Sequence, residues 1–107
     1  MLTKPNLPAL GRLLFTSGVS SRMEIDNQFA SDISNLIRLY VDGDWGDLSA
    51  DDWEANIIAC HNKAGGRLMG AYKTYDKTRV WIITDGYSRQ DLGPDYCYTT
   101  VLFPEEY

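Results

Sequence analysis

The sequence feature that most constrains the fold is a six-residue run, Arg79 to Thr84, which reads Arg-Val-Trp-Ile-Ile-Thr. Its apolar and β-branched residues leave no polar face, which is typical of a strand in the centre of a sheet. Two further strands are predicted beside it, at Arg67 to Tyr75 and at Cys97 to Phe103, with a turn at Asp76-Lys77. A short strand is also predicted at Gly11 to Thr16.

Two helices are predicted between the first strand and the remaining three. Ser21 and Glu24 fit a capping box, and Gly43 is placed to end the helix behind them as a left-handed cap. Ser49 and Asp52 begin the second helix in the same way, and Asn62 to Gly66 ends it. The apolar faces comprise Phe29, Ile33, Leu36, Ile37 and Tyr40 in the first helix and Trp53, Ile57 and Cys60 in the second.

The order of these elements, β-α-α-β-β-β, predicts an α+β domain. We expect an antiparallel sheet of three to four strands covered on one face by two helices. The chain shows no repeat and no linker, so residues 1–107 are predicted to form a single domain, with residues 1–10 as a loose N-terminal leader.

Cellular setting follows from cysteine usage and hydropathy. Cys60 and Cys97 are too few for the disulfide framework of a small secreted domain. No run of eighteen apolar residues exists, and Met1 to Leu10 lacks the apolar core of a signal peptide. We therefore expect a cytoplasmic protein with reduced thiols and no contact with membranes.

No residue cluster in the sequence has the pattern of a catalytic or metal site. His61 directly follows Cys60, and neighbouring helix residues project about 100° apart, so the two do not form a catalytic pair. The segment from Asp42 to Glu54 suggests a calcium loop, but Gly46, Asp47 and Trp53 occupy positions that such a loop reserves for other residue types. We expect no catalytic residue, no metal and no cofactor.

Charge is distributed unevenly along the chain. The formal net charge is −5, which argues against a general nucleic-acid binder. Between Glu24 and Glu54, nine acidic residues accompany a single base, Arg38, so this segment carries −8 and the remainder +3. A solvated helix face explains these acids, and so does a negative surface that binds a basic groove as a DNA mimic does. The residues predicted to bind a partner are Asp42, Asp44, Trp45, Asp47, Asp51, Asp52 and Glu54.

A second hypothesis rests on the aromatic residues of the predicted sheet. Tyrosines on a sheet can stack nucleic-acid bases, as in proteins that bind single strands. Those in or near the sheet are Tyr72, Tyr75, Tyr87, Tyr96 and Tyr98. The accompanying bases are few, mainly Arg67, Lys73, Lys77, Arg79 and Arg89.

Several blocks of this sequence resemble a known family. They are Thr16-Ser17-Gly18-Val19, Asn27-Gln28-Phe29, Gly43-Asp44-Trp45-Gly46-Asp47-Leu48, Asp51-Asp52-Trp53 with Asn56, Gly66-Arg67-Leu68, Ala71-Tyr72, Val80-Trp81-Ile82-Ile83-Thr84 and Thr99-Thr100-Val101-Leu102-Phe103-Pro104-Glu105-Glu106-Tyr107. The chain resembles the small orphan proteins, often labelled only "plasmid-related", of bacterial plasmids and integrated mobile elements. It departs from them between Asp85 and Tyr98, where those proteins are shorter.

The resemblance implies a setting and transfers no catalytic residue. Small acidic proteins of mobile elements are often inhibitors of host defence, such as anti-CRISPR proteins and restriction inhibitors. We therefore expect a non-enzymatic protein that binds no DNA itself but occupies the basic nucleic-acid groove of a bacterial defence complex. The alternative is an accessory protein of plasmid replication or transfer that binds single strands. The apolar edge strand near Gly11 to Phe15 also makes a homodimer possible.

Overall fold

The computed structural model describes residues 10–61, 67–85 and 97–107. Within them the chain forms β1 (Arg12–Phe15), α1 (Ser17–Ile25), α2 (Asn27–Val41), α3 (Ala50–His61), β2 (Arg67–Lys73), β3 (Arg79–Asp85) and β4 (Tyr98–Leu102), followed by a 3-10 turn at Pro104–Glu106. The α+β class is confirmed, and the order of elements roughly follows the prediction. Residues 1–9 of the predicted N-terminal leader, the segment 62–66 predicted to end the second helix, and residues 86–96 of the loop after Asp85 lie outside the described residues.

The four strands lie in the order β1-β4-β3-β2. β3 pairs with β2 and with β4, both antiparallel, which confirms its predicted central place and the three-stranded meander. β1 pairs with β4 in parallel, so the sheet is mixed rather than antiparallel throughout. β1 runs straight into α1, and the chain returns to the sheet at the opposite edge, as β2.

The first predicted helix is two helices in the structure. α1 begins at Ser17, and Asp26 then adopts an extended conformation with φ −134° and ψ 100°. The Asp26 side chain accepts the amide of Phe29 at 3.1 Å and so begins α2. The capping box predicted at Ser21 and Glu24 is wrong, since both residues lie inside α1.

The true start of α1 depends on the other end of the chain. Thr16 is the N-cap residue, and its hydroxyl donates to Glu106 at 2.6 Å. The same carboxylate accepts the amides of Gly18 at 3.2 Å and of Phe103 at 2.9 Å. Burial alone would raise the pKa of Glu106, but these three hydrogen bonds outweigh it and hold the pKa below its usual value. The Thr16 hydroxyl also accepts the Val19 amide at 3.5 Å, so a local cap and a contact across ninety positions together mark the start of the helix.

Two other predicted helix ends are confirmed. After α2, Gly43 has φ +86°, and its amide donates to Tyr40 while the Asp44 amide donates to Leu39, which is the Schellman pattern. The Ser49 hydroxyl accepts the amide of Asp52 at 3.1 Å at the start of α3. Both ends fix the segment between α2 and α3.

The core lies between the helices and one face of the sheet. The predicted face of α2 is buried, and alternate residues of the strands meet it, as the two-residue period of a strand requires. The buried cluster comprises Val19, Phe29, Ile33, Leu36, Tyr40, Trp45, Leu68, Tyr72, Val80, Ile82 and Val101. Full burial of a side chain such as Phe29, which is 0% exposed, stabilises the fold by about 1.5–3 kcal/mol.

The opposite face of the sheet is covered in part by the C-terminal residues. The ring of Tyr107 meets Trp81 edge-on with centroids 5.7 Å apart. Arg67 donates to the Tyr107 hydroxyl and also forms a salt bridge with Asp85 at 2.9 Å. Next to them, Phe103 packs on Phe29 with centroids 5.9 Å apart, so the last five residues join the helical layer to the outer face of the sheet.

Candidate functional site

The loop between α2 and α3 is fixed to the outer edge of β2. Trp45 accepts the Ala71 amide at 3.0 Å, and the Asp47 amide donates to the Ala71 carbonyl at 2.7 Å, which adds a one-residue bridge to the sheet. The intervening Gly46 has φ +74°, and a Cβ atom there would lie 2.1 Å from the Ala71 oxygen. Glycine is required at this position because the two backbones approach so closely.

Trp45 lies in the core rather than on the surface. It is 2% exposed, and its ring meets Trp53 edge-on with centroids 5.4 Å apart. The prediction that Trp45 contacts a partner is therefore corrected, since a partner cannot reach its ring. The tryptophan instead anchors the loop, because burying so large a side chain fixes the backbone on both sides of it.

Polar contacts complete the anchoring of this loop. The Asp44 carboxylate accepts the Gly46 amide at 3.1 Å, and the Tyr72 hydroxyl donates to the Asp44 carbonyl at 2.8 Å. Burial first of all, and then the neighbouring Tyr40 and Asp44, raise the pKa of Tyr72, so its hydroxyl stays protonated as this donor role requires.

Asn56 holds α3 against the same edge of the sheet. Its side-chain amide donates to the Met69 carbonyl at 2.7 Å and accepts the Met69 amide at 3.1 Å. The side chain thereby imitates a neighbouring strand, and it is 4% exposed. Asn56 and the Trp45–Asp47 backbone together satisfy the outward-facing groups of Met69 and Ala71, so the middle of this edge of the sheet is covered.

The six acidic residues predicted to bind a partner are all exposed. Salt bridges within the described residues join Arg22 to Asp26 and Asp76, and Arg67 to Asp85, so none of the six takes part in one. We call these six the acidic surface; its members are Asp42, Asp44, Asp47, Asp51, Asp52 and Glu54.

The structure divides the acidic surface into three groups. Asp42 and Asp44 lie where α2 ends. Asp51 and Glu54 share the outward face of α3 with Ile58, at spacings of three and four residues. Asp47 and Asp52 line one groove of about 370 Å³ on the outer face of the sheet.

The remaining acids of the negative segment do not extend this surface. Asp26 pairs with Arg22 at 3.1 Å, and Asp32 accepts the Tyr75 amide at 2.8 Å. The Tyr75 hydroxyl, the Phe29 amide and Arg22 hold the pKa of Asp26 below its usual value. Some acidic residues of the segment that carries −8, Asp26 and Asp32, therefore bind groups of the protein itself and hold the β2–β3 turn against the helices.

Arg22 is the centre of that fastening, and the sequence analysis missed it. It bridges Asp76 at 2.6 Å, donates to Thr78 at 3.0 Å and stacks over the Phe29 ring at 4.6 Å. The hydrogen bonds that Arg22 donates to Asp76 and Asp26 outweigh burial and raise the pKa of Arg22. The four-residue spacing from Arg22 to Asp26 was a usable signal, whereas the approach of Asp76 was not.

The groove next to the acidic surface also contains cations. Lys73 and Arg79 are opposite each other on β2 and β3, and Trp81 and Met69 line the same groove. Like charges directly across a sheet repel each other, and neither residue forms a salt bridge within the described part of the chain. The groove therefore has one acidic and one basic wall.

Of the tyrosines predicted to stack bases, the three that the structure describes do not form one stacking surface. Tyr72 is 5% exposed and faces the core, and the Tyr75 hydroxyl donates to Asp26. Tyr98 is 42% exposed on β4, whereas Tyr87 and Tyr96 lie outside the described residues.

No group of three or more His, Cys, Asp or Glu residues within the described ranges could hold a metal ion. Cys97 is buried, and the side chains of Cys60 and His61 lie outside the description. None of the described helices has the length and apolarity needed to cross a membrane.

The fold and surface define an α+β domain with a mixed four-stranded sheet and an exposed acidic edge. No protein-family model, no curated protein and no solved structure matches the chain.

Proposed function

We propose that this is a non-enzymatic binding protein of a bacterial mobile element, which inhibits a host defence complex by occupying its basic nucleic-acid groove. The observation that supports the proposal is the acidic surface: six exposed carboxylates without a salt bridge among the described residues, on a segment fixed at both ends. The buried ring of Trp45 fixes one end, and the Asn56 contact with Met69 fixes the other.

A surface of exposed carboxylates without salt bridges among the described residues suits competition with DNA. Carboxylates that form no salt bridge with a cation of the described residues remain available to lysine and arginine side chains of a partner. Because they lie on an ordered segment, binding need not order a flexible loop first. Their combined field also steers association with a basic groove, and salt weakens that field over about 10 Å at 0.1 M.

The proposed partner is an RNA-guided or restriction-type DNA-targeting complex in the bacterial cytoplasm. This choice extends the resemblance to proteins of mobile elements, whose acidic members often counter host defence. The proposed surface has no role for a metal, a cofactor or a catalytic residue, and it predicts that the protein itself does not bind DNA.

The test is a DNA-binding competition assay with a panel of purified RNA-guided complexes and restriction enzymes. The wild-type protein should displace labelled DNA from a member of the panel. The variant Asp47→Lys/Glu54→Lys should weaken inhibition at least tenfold, because it reverses two charges of the acidic surface outside the first helical turn.

The matched control is Glu24→Lys/Glu105→Lys, which changes the net charge equally at two exposed acids elsewhere. It should retain most of the inhibition. Raising the salt concentration from 50 to 200 mM should weaken the wild type more than the Asp47/Glu54 variant. If neither added salt nor the Asp47→Lys/Glu54→Lys change weakens inhibition, the proposal is contradicted.

The second candidate function is direct binding of single-stranded nucleic acid on the outer face of the sheet. Lys73 and Arg79, which form no salt bridge with the described residues and line a groove with Trp81, favour it, since such cations bind phosphates and tryptophan stacks bases. Asp47 and Asp52 in the same groove oppose it. A fluorescence titration with a labelled oligonucleotide separates the two functions, because the acidic inhibitor should not bind it and the sheet platform should.

A further inference from the structure

The two edges of the sheet differ sharply. The middle of the β2 edge is covered by Asn56 and by the Trp45–Asp47 backbone. At the other edge, β1 pairs with β4 on one side, and nothing within residues 10–61, 67–85 and 97–107 pairs with its other side. Leu13, Leu14 and Phe15 of this strand are 39%, 41% and 37% exposed. An apolar edge strand with unpaired backbone groups can pair with a strand of another chain.

The geometry of β1 identifies the free backbone groups. The amide of Arg12 donates to the carbonyl of Cys97, just before β4, and the amide of Thr16 donates to that of Val101 on β4. Because successive residues of a strand direct their amide and carbonyl groups to opposite sides, Leu13 and Phe15 direct theirs away from β4. This edge therefore has two donors and two acceptors that no described residue pairs.

We propose that β1 pairs antiparallel with β1 of a second copy of this chain, which forms a two-fold symmetric dimer with one eight-stranded sheet. In the register that uses all the free groups, Leu13 is opposite the partner's Phe15, and Phe15 is opposite the partner's Leu13. Leu14 then lies on the symmetry axis, facing the partner's Leu14 in a pair without backbone hydrogen bonds.

Side-chain chemistry favours a second copy as the occupant. Leu13 and Phe15 lie on the helix side of the sheet, since they align with the buried Thr99 and Val101, and Leu14 lies on the other side. The dimer therefore pairs leucine with phenylalanine on one face and leucine with leucine on the other. Such apolar cross-strand pairs stabilise a sheet by about 0.2–1 kcal/mol each.

Charge also permits this pairing. β1 contains no acidic residue, and its single charge, Arg12, is opposite the partner's Thr16 in this register. The acidic surface lies at the β2 end of the sheet, three strand spacings of roughly 4.8 Å from β1. The dimer places the two acidic surfaces at opposite ends of the sheet, so their repulsion does not oppose association.

Two measurements on the full chain test the proposal. Sedimentation equilibrium of the wild type should show a concentration-dependent dimer, and Leu14→Asp should raise its dissociation constant at least tenfold by placing two carboxylates on the axis. The matched control, Leu39→Asp on α2, changes a leucine that is 40% exposed, and it should leave the dissociation constant unchanged.

The register is tested by cysteine cross-linking in a Cys60→Ser background with oxidised glutathione. In Leu14→Cys the two Cα atoms are about 4.5 Å apart across the axis, within the range that a disulfide bridges. In Leu13→Cys the equivalent atoms are offset by two residues and lie about 8 Å apart, which is too far. We expect a covalent dimer from the first variant and little from the second.

A chain that stays monomeric at all concentrations would overturn the proposal, and so would equal cross-linking of both variants. A dimer that persists in Leu14→Asp would show that another surface joins the copies. The inference does not depend on the proposed function, because the Asp47→Lys/Glu54→Lys variant should dimerise as the wild type does.

Discussion

Replacing Asn56 tests how far one side chain holds α3 to the sheet. In Asn56→Ala, the amide and the carbonyl of Met69 lose partners that lie at 3.1 and 2.7 Å. Each buried group left unsatisfied costs about 1–3 kcal/mol, and water admitted to the emptied space recovers a part. We expect the free energy of unfolding to fall by about 2–4 kcal/mol, a large share of the 5–15 kcal/mol typical of such a domain.

The assay is urea unfolding followed by circular dichroism, combined with hydrogen exchange of the Met69 amide. The urea midpoint should fall with an unchanged m-value, and the Met69 amide should exchange faster. An Asn56→Ala variant within 0.5 kcal/mol of the wild type, with a protected Met69 amide, would refute the reasoning.

A second substitution at the same position separates hydrogen bonding from loss of volume. Asn56→Asp keeps the acceptor for the Met69 amide but points a carboxylate oxygen at the Met69 carbonyl. At pH 7 it should be at least as destabilising as Asn56→Ala. Because a protonated carboxyl can donate to that carbonyl, its deficit relative to the wild type should shrink as the pH is lowered.

The remaining predictions concern the β2–β3 turn and the loop before α3. Hydrogen bonds from Thr74, Arg22 and Thr78 hold the pKa of Asp76 well below its usual value, so its ionised form adds stability above about pH 4, which is lost as the pH falls through the lower folded-state pKa. Asp76→Asn should therefore be less stable than the wild type at pH 7, with the gap narrowing toward pH 2 in urea titrations; a constant gap would contradict this. Gly46→Ala should lower the free energy of unfolding by more than about 2 kcal/mol, because a Cβ atom meets the Ala71 oxygen at φ +74°. A thermal unfolding midpoint equal to that of the wild type would count against that close approach.

The acidic segment shows which structural features local sequence patterns predict correctly and which they do not. The pattern around Ser49 and Asp52 correctly predicted the start of α3, because a helix cap depends on residues three apart in the chain. The same composition suggested one continuous negative block from Glu24 to Glu54. The structure divides it, since Asp26 and Asp32 bind groups of the β2–β3 turn that lie more than forty positions away.

The sequence alone determined the features that repeat within a few residues. The apolar face of α2, the central place of Arg79 to Thr84 and the left-handed end at Gly43 all follow from periodicity or from the conformational range of a single residue.

Only the tertiary structure decided what depends on distant partners. The parallel pairing of β1 with β4, the cap that Glu106 supplies to α1 and the burial of Trp45 all join segments far apart in the chain. Periodicity within one segment carries no information about which distant segment meets it. The physical reason is that the free energy of these contacts arises only when the whole core closes, so no local stretch of sequence encodes them.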